Sequence, residues 1–178
     1  MSQAPNRPEI PTQMHRDDAL SWFDSLATVP LDFMLGDWEG AGIATDHPMD
    51  GLLETYGWVG KSFVNADHVH PLLFSDGRGG TFRGNPSRMP MDLALRWPLL
   101  KQPWLGPLMR IGRPLLETTR SAARLRMTEH RGKVSATMCY DFLPIHDVFR
   151  MIDEDRVLGL MDYKATPLPF FFTLRRTR

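Results

Sequence analysis

"LGDWEGAGIATDHP", Leu35 to Pro48, sets a tryptophan between glycines and then runs into alternating small and larger residues. Gly36, Gly40 and Gly42 would let a backbone approach an anion. A phosphate loop, however, needs a strand, the glycines, and then a helix start carrying Lys-Ser/Thr or a wider glycine spacing. The segment after Gly42 reads as more strand. The stretch is therefore read as a strand that bends where its glycines permit, with the Trp38 indole closing the floor of a sheet rolled on itself.

Upstream, "HRDDALSWFDSLATVP" puts Ala19, Trp22, Phe23 and Leu26 at helical spacing, with Asp17 and Asp18 near the N-terminal dipole and Pro30 beyond the end. The proline-rich residues before it, 1–14, are expected to form a flexible tail. Downstream, "DHPMDGLLETYG" predicts a short helix, with Asp46 as N-cap, Pro48 in the first turn and Gly57 as the stop. "WVGKSFV" predicts a strand with Trp58, Gly60 and Ser62 on one face and Val59, Lys61 and Phe63 on the other. "DHVHPLLFSDGRGGTFRGN" predicts short strands around a turn at Asp76 to Gly80.

Six prolines between Pro86 and Pro114 argue against a central strand there. This stretch is expected to be an excursion over one end of the barrel or a surface connection. Lys101, Arg110 and Arg113 beside Trp104, Leu105 and Met109 add interfacial membrane contact as a third reading, weakened by the prolines. From Ala122 the pattern is β: a hairpin through "HRGK", a turn or single helical turn at "LPIHDVFRMIDEDRV", and strands at "VLGLMDYK" and "FFFTLRR". So many strands in so short a chain predict a closed antiparallel barrel. Residues 15–178 are read as one domain: 15–85, a Pro-rich loop at 86–117, and a C-terminal β part at 118–178.

A chain of 178 residues can bury a core unaided, and 42% hydrophobic with 24% charged residues is ordinary for a globular protein. One cysteine, Cys139, excludes an internal disulfide and a cysteine-rich zinc cluster, so a reducing cytoplasm is expected. Neither a signal peptide nor a span-length apolar run is present, so no stable membrane insertion is expected. The net charge of +0 argues against a nucleic-acid partner. Acids crowd residues 1–60 (ten against two bases) and bases crowd 61–138 (thirteen against five acids). This asymmetry is read as two complementary solvated faces, with a basic rim for an anion as the sharper alternative.

"GDWEG", "WVGKSF", "HVHPLLF", "ARLRMTEHRG", "YDFLPIHDVFR", "VLGLMDYK" and "FFFTLRR" together resemble the bacterial GXWXG family, whose signature part is joined to a C-terminal domain of unknown function. The signature itself is similar to that of nitrobindin and fatty-acid-binding-like barrels. The resemblance spans residues 30–176 and implies a mainly β, calycin-like barrel with one or two N-terminal helices. Nitrobindin-like proteins hold haem through a histidine near the C-terminal strand, and "FFFTLRRTR" has none. No cofactor is expected, and haem stays an alternative, with His68, His70 and His146 beside family-like motifs.

Within such a barrel an apolar cavity with a few polar groups is expected, for a small, largely apolar ligand bearing a carboxylate or carbonyl. In "VLGLMDYK", Asp162 and Lys164 share a strand face with Leu158 and Leu160. If that face points inward, the charges must be paired or functional; if outward, they are a surface pair. The inward face is the expectation taken, and Asp162, Lys164, Tyr140 and His70 are the candidate catalytic groups. Trp58, Lys61, Phe63, Met138 and Trp38 are the candidate ligand-binding wall. Asp141 and Asp147 are further candidates, Asp147 also reading as a turn residue. Such groups would suit carriage of the ligand or a cofactor-free isomerase, hydratase or cyclase. No nucleophilic triad is visible, and His68 with His70 and Asp67 lacks a further metal ligand. The partner is expected to be the small molecule, and a homodimer remains open; a protein-interaction module using the Pro-rich loop has no motif behind it.

Overall fold

The computed structural model of the chain describes residues 9–89, 95–97, 99, 102 and 104–177. Ten strands are found among them: β1 Ala27–Thr28, β2 Gly36–Ile43, β3 Trp58–Asn65, β4 His68–Ser75, β5 Thr81–Arg83, β6 Ala123–His130, β7 Lys133–Tyr140, β8 Ile145–Met151, β9 Arg156–Tyr163 and β10 Phe170–Arg176. The helices are α1 Arg16–Ser25, α2 Leu52–Thr55, α3 Leu105–Ile111 and α4 Arg113–Leu116.

All the strand pairings are antiparallel, in the order β8-β7-β6-β4-β3-β2-β10-β9, and β9 pairs back to β8. The sheet thus returns on itself as a mainly β, calycin-like ring. It is uneven: β6 and β7 share eight register pairs, whereas β4 and β6 share only Val69↔Ala123. Arg131 and Gly132, with φ of 53° and 74°, form the tight turn between β6 and β7.

Side chains alternate between two cores. One buried cluster fills the ring, drawing on Trp38, Trp58, Phe63, Val69, Leu125, Met138, Phe149, Met161 and Phe172. The other lies outside, where α1 lays Ala19 and Phe23 over Ile43, Val148, Leu158, Leu160 and Phe171. Strands β8, β9 and β10 are consequently apolar on both faces.

The two ends differ. At one, a 3₁₀ turn over Asp32–Met34 meets Trp38, which is 1% exposed and donates Nε1–H to the Met34 carbonyl at 2.8 Å. Phe33 lies against the indole and the Arg176 guanidinium sits 4.3 Å from its ring centre. This is the closed floor that the glycine-flanked tryptophan predicts. At the other end stand α2, the described parts of the β5–β6 connection and the β7–β8 turn. There Leu53, Tyr56, Met89, Leu95, Tyr140 and Leu143 form a half-buried apolar rim over the interior cluster.

Several expectations are corrected. Residues 12–14 are not free tail: Gln13 bridges Ala44, and Met14 N–H donates to the Ala44 carbonyl. The helix expected from Asp46 begins only at Leu52, because Gly51 (φ 80°) turns left-handed and Asp50 accepts from the Thr45 and His47 amides to hold a turn. "IHDVFRM", expected as a turn or single helical turn, is strand β8. Of the Pro-rich stretch, Pro90, Pro98, Lys101, Pro103 and the side chains of Met109 and Arg110 lie outside the described residues.

Candidate functional site

Inside the ring one polar group stands among rings and thioethers. Lys61 of β3 and Asp147 of β8 form an ion pair, Nζ to Oδ2 2.8 Å, with side chains only 3% and 2% exposed. Trp58 reaches the same space because β3 is irregular. Regular alternation would put Trp58 and Lys61 on opposite faces, but the pairing with β4 slips on both sides of Gly60. Gly60 has φ 147°, and a Cβ there would lie 1.8 Å from the Trp38 carbonyl oxygen. Only glycine fits. The slip turns Trp58 inward beside Lys61 and Phe63, against the expectation that it faces away from the other two.

Opposite, Asp147 is flanked across the ladder by Met138 and Met161. The ammonium also donates to the Pro71 carbonyl at 3.2 Å and lies 4.9, 5.5 and 5.9 Å from the ring centres of Phe172, Trp58 and Tyr140. Edge-to-face contacts carry the aromatic packing on from Trp58 through Phe172 and Phe149 to Phe63. Gly40 and Gly159 make room for it, since a Cβ would meet the Trp58 ring at 2.0 Å and the Phe172 ring at 2.3 Å.

Two polar atoms of this site find no partner among the described residues: Asp147 Oδ1, an acceptor, and Trp58 Nε1, a donor. Burial pushes the Asp147 carboxyl up from its ordinary value, against the pull of the Lys61 charge. Desolvation, with the Asp147 charge behind it, holds the Tyr140 phenol well above its usual value, so the hydroxyl stays protonated. Tyr140 is half-buried in the rim.

Seven of the eleven residues singled out from sequence therefore meet at the interior: Trp38, Trp58, Lys61, Phe63, Met138, Tyr140 and Asp147. The other four do not: Asp141 pairs with Arg124 instead. Asp162 and Lys164 are exposed on the outer side, because the partners that bury Leu158 and Leu160 belong to the α1 layer, while Val157, Met161 and Tyr163 face the interior. His70 pairs in register with Ser62, on the face opposite Phe63 and Val69. Ser62 lines an outer groove of about 610 Å³ with Asp37, Arg83 and Thr118. Burial lowers the His70 imidazole's affinity for a proton. Asp147, a further candidate also read as a turn residue, lies in strand β8 and pairs with Lys61.

His68 and His146 are exposed, and with His70 on the outer face none of the histidines beside the family-like motifs offers an inward axial ligand. Among the described residues no group of three or more His, Cys, Asp or Glu side chains is placed to hold a metal, and no helix is long and apolar enough to cross a membrane.

Residues 21–79 match the family described as GXWXG protein, and residues 121–176 match a domain of unknown function, DUF4334. Among solved structures, the chain is similar to one described as a protein from Thermomonospora curvata, at 34% identity over 94% of this chain and 91% of that one, with a TM-score of 0.70. No curated protein matches.

Proposed function

Since the chain belongs to the family that joins a GXWXG segment to a DUF4334 domain, we propose that its barrel receives a small, largely apolar molecule through the apolar rim. The molecule's polar end, a carbonyl or carboxylate, comes to rest beside Lys61, Asp147 and Tyr140. The observation that carries this reading is the enclosed Lys61–Asp147 pair, left with an unpartnered acceptor and an unpartnered donor beside it. Desolvating two charges costs several kcal/mol per ion, and well-packed apolar residues often stabilise as well or better. A core that served packing alone would do without them. The half-buried rim of Leu53, Tyr56, Met89, Leu95, Tyr140 and Leu143 supports the same reading, because it sets apolar surface over the interior cluster.

A second reading, cofactor-free proton transfer, is favoured by the raised Asp147 carboxyl, which suits a general base better than an ordinary aspartate does. Extraction of the purified protein followed by small-molecule mass spectrometry tests the shared premise. A retained apolar compound, near one equivalent in the parent and lost in Tyr140→Ala, is the expected result. An extract empty of such compounds, together with no melting-temperature shift from any member of an apolar carbonyl library, would sink both readings.

A further inference from the structure

We propose that the ligand's polar end is a neutral group that both donates and accepts a hydrogen bond, such as a carboxamide, a lactam or a hydroxyl beside a carbonyl, and not a carboxylate. This rests on the ligand-binding reading above and narrows its chemistry.

The argument begins with what Lys61 has left to give. Its ammonium carries three hydrogens. Asp147 Oδ2 takes one at 2.8 Å and the Pro71 carbonyl takes another at 3.2 Å. The rings of Phe172, Trp58 and Tyr140 crowd the rest of the charge. The cation is already neutralised and solvated by the protein. A carboxylate arriving here would meet an occupied lysine, and it would set a second negative charge against Asp147 in a low-dielectric enclosure.

What the site lacks is neutral. Asp147 Oδ1 needs a donor and Trp58 Nε1 needs an acceptor, and both belong to side chains already more than nine-tenths buried. Each such unmet group costs stability until it is paired. Both side chains touch the one ammonium, Asp147 at 2.8 Å and the Trp58 ring centre at 5.5 Å, and the proposed head group is one small group that answers both atoms. A simple ketone would answer Trp58 and leave Asp147 unmet. An N–H or O–H beside a C=O answers both.

Competition against the neutral dye Nile red, above the pKa of the acid, tests this with three probes of matched chain: decanamide, decanoate and 2-decanone. The expected order is decanamide tightest, 2-decanone next and decanoate weakest, with the amide ahead of the acid by about tenfold or more, the scale of one charge-assisted hydrogen bond. Trp58→Phe removes the free donor and should weaken decanamide and 2-decanone alike by about fivefold, one neutral hydrogen bond. Asp147→Asn leaves the Lys61 charge uncompensated, and the preference should invert in favour of decanoate. If that variant does not fold, the order of the three probes on the parent still decides.

Decanoate binding tightest to the parent, or all three probes binding alike, would overturn the neutral-head proposal and leave the binding reading standing. No displacement and no dye bound at all would bring down the binding reading itself, and this inference with it.

Discussion

Gly60 decides where Trp58 points, and nothing in an alternating pattern announces it. "WVGKSFV" reads as a regular strand until the Trp38 carbonyl takes the space a Cβ would need. The bulge, and with it the inward Trp58, results from a contact with another strand. Trp38 was legible for the opposite reason: a large ring between glycines has little use on a flat surface, and its place at the floor follows from size and flanking residues alone. Trp38→Ala should therefore cost ~3 to 5 kcal/mol, the usual range for removing a large buried aromatic. The indole also gives up its bond to the Met34 carbonyl and its contacts with Phe33 and Arg176. Urea denaturation measures the loss; a cost below about 1 kcal/mol would place the ring outside the packed floor.

At the scale of elements, the hairpin from Ala123 to Tyr140 was plain because each strand alternates and its turn carries glycine. Strand β8 was not. Asp147 and Arg150 interrupt its apolar pattern, yet both are buried, Asp147 against Lys61 and Arg150 beneath Phe23 with Nη2–H donating to the His130 carbonyl. Partners so far away in the chain are invisible to local patterning. The same layer misled the reading of β9: alternation says that Asp162 and Lys164 share a face, but α1 makes the outer face apolar as well, so the leucines beside them did not mark the interior. This layer should be acid-sensitive. The His130 ring packs edge-on to Phe23 of α1, 6.4 Å between centres. Desolvation lowers its pKa from 6.5, with Arg131 and Arg150 adding to that and Asp162 and Asp24 opposing it. A histidine held neutral by the fold contributes stability above its unfolded pKa, which is lost as pH falls below that value. Urea midpoints measured downward from neutrality should thus fall further for the parent than for His130→Gln once pH drops below 6.5. Parallel curves for the two proteins would show that His130 titrates alike in both states.

For the whole molecule, the count of strands and the cost of open edges pointed to a closed barrel before any pairing was known, but they left open how the two family segments meet. They meet twice. β2 joins β10 through six register pairs, from Trp38↔Arg176 to Ile43↔Phe171, while β4 joins β6 through Val69↔Ala123 alone. The Lys61–Asp147 pair bridges the same two segments through the interior, so the candidate site depends on both seams. At the thin one, side chains stand in for missing ladder bonds. The Ser121 hydroxyl accepts from the Val69 amide at 3.2 Å, and Arg126 reaches across to the Asp67 carboxylate at 2.7 Å and the Ala66 carbonyl at 3.2 Å. Backbone bonds there are sparse, Leu125 to Ala66 at 2.8 Å and Ala122 to Val69 at 3.1 Å. Sub-global opening tracks the fewest backbone bonds and the least buried contact. Hydrogen exchange should accordingly release the amides of residues 66–70 and 122–126 well before those of 38–42 and 171–175. Ser121→Ala should speed the first set by about threefold to tenfold, the weight of one net hydrogen bond, and leave the second set unchanged. A ligand seated between Trp58 and Asp147 would hold both segments at once and should slow exchange at the thin seam most. Equal protection at the two seams, with no response to Ser121→Ala, would mean that the ring opens only as a unit and that its unevenness has no energetic counterpart.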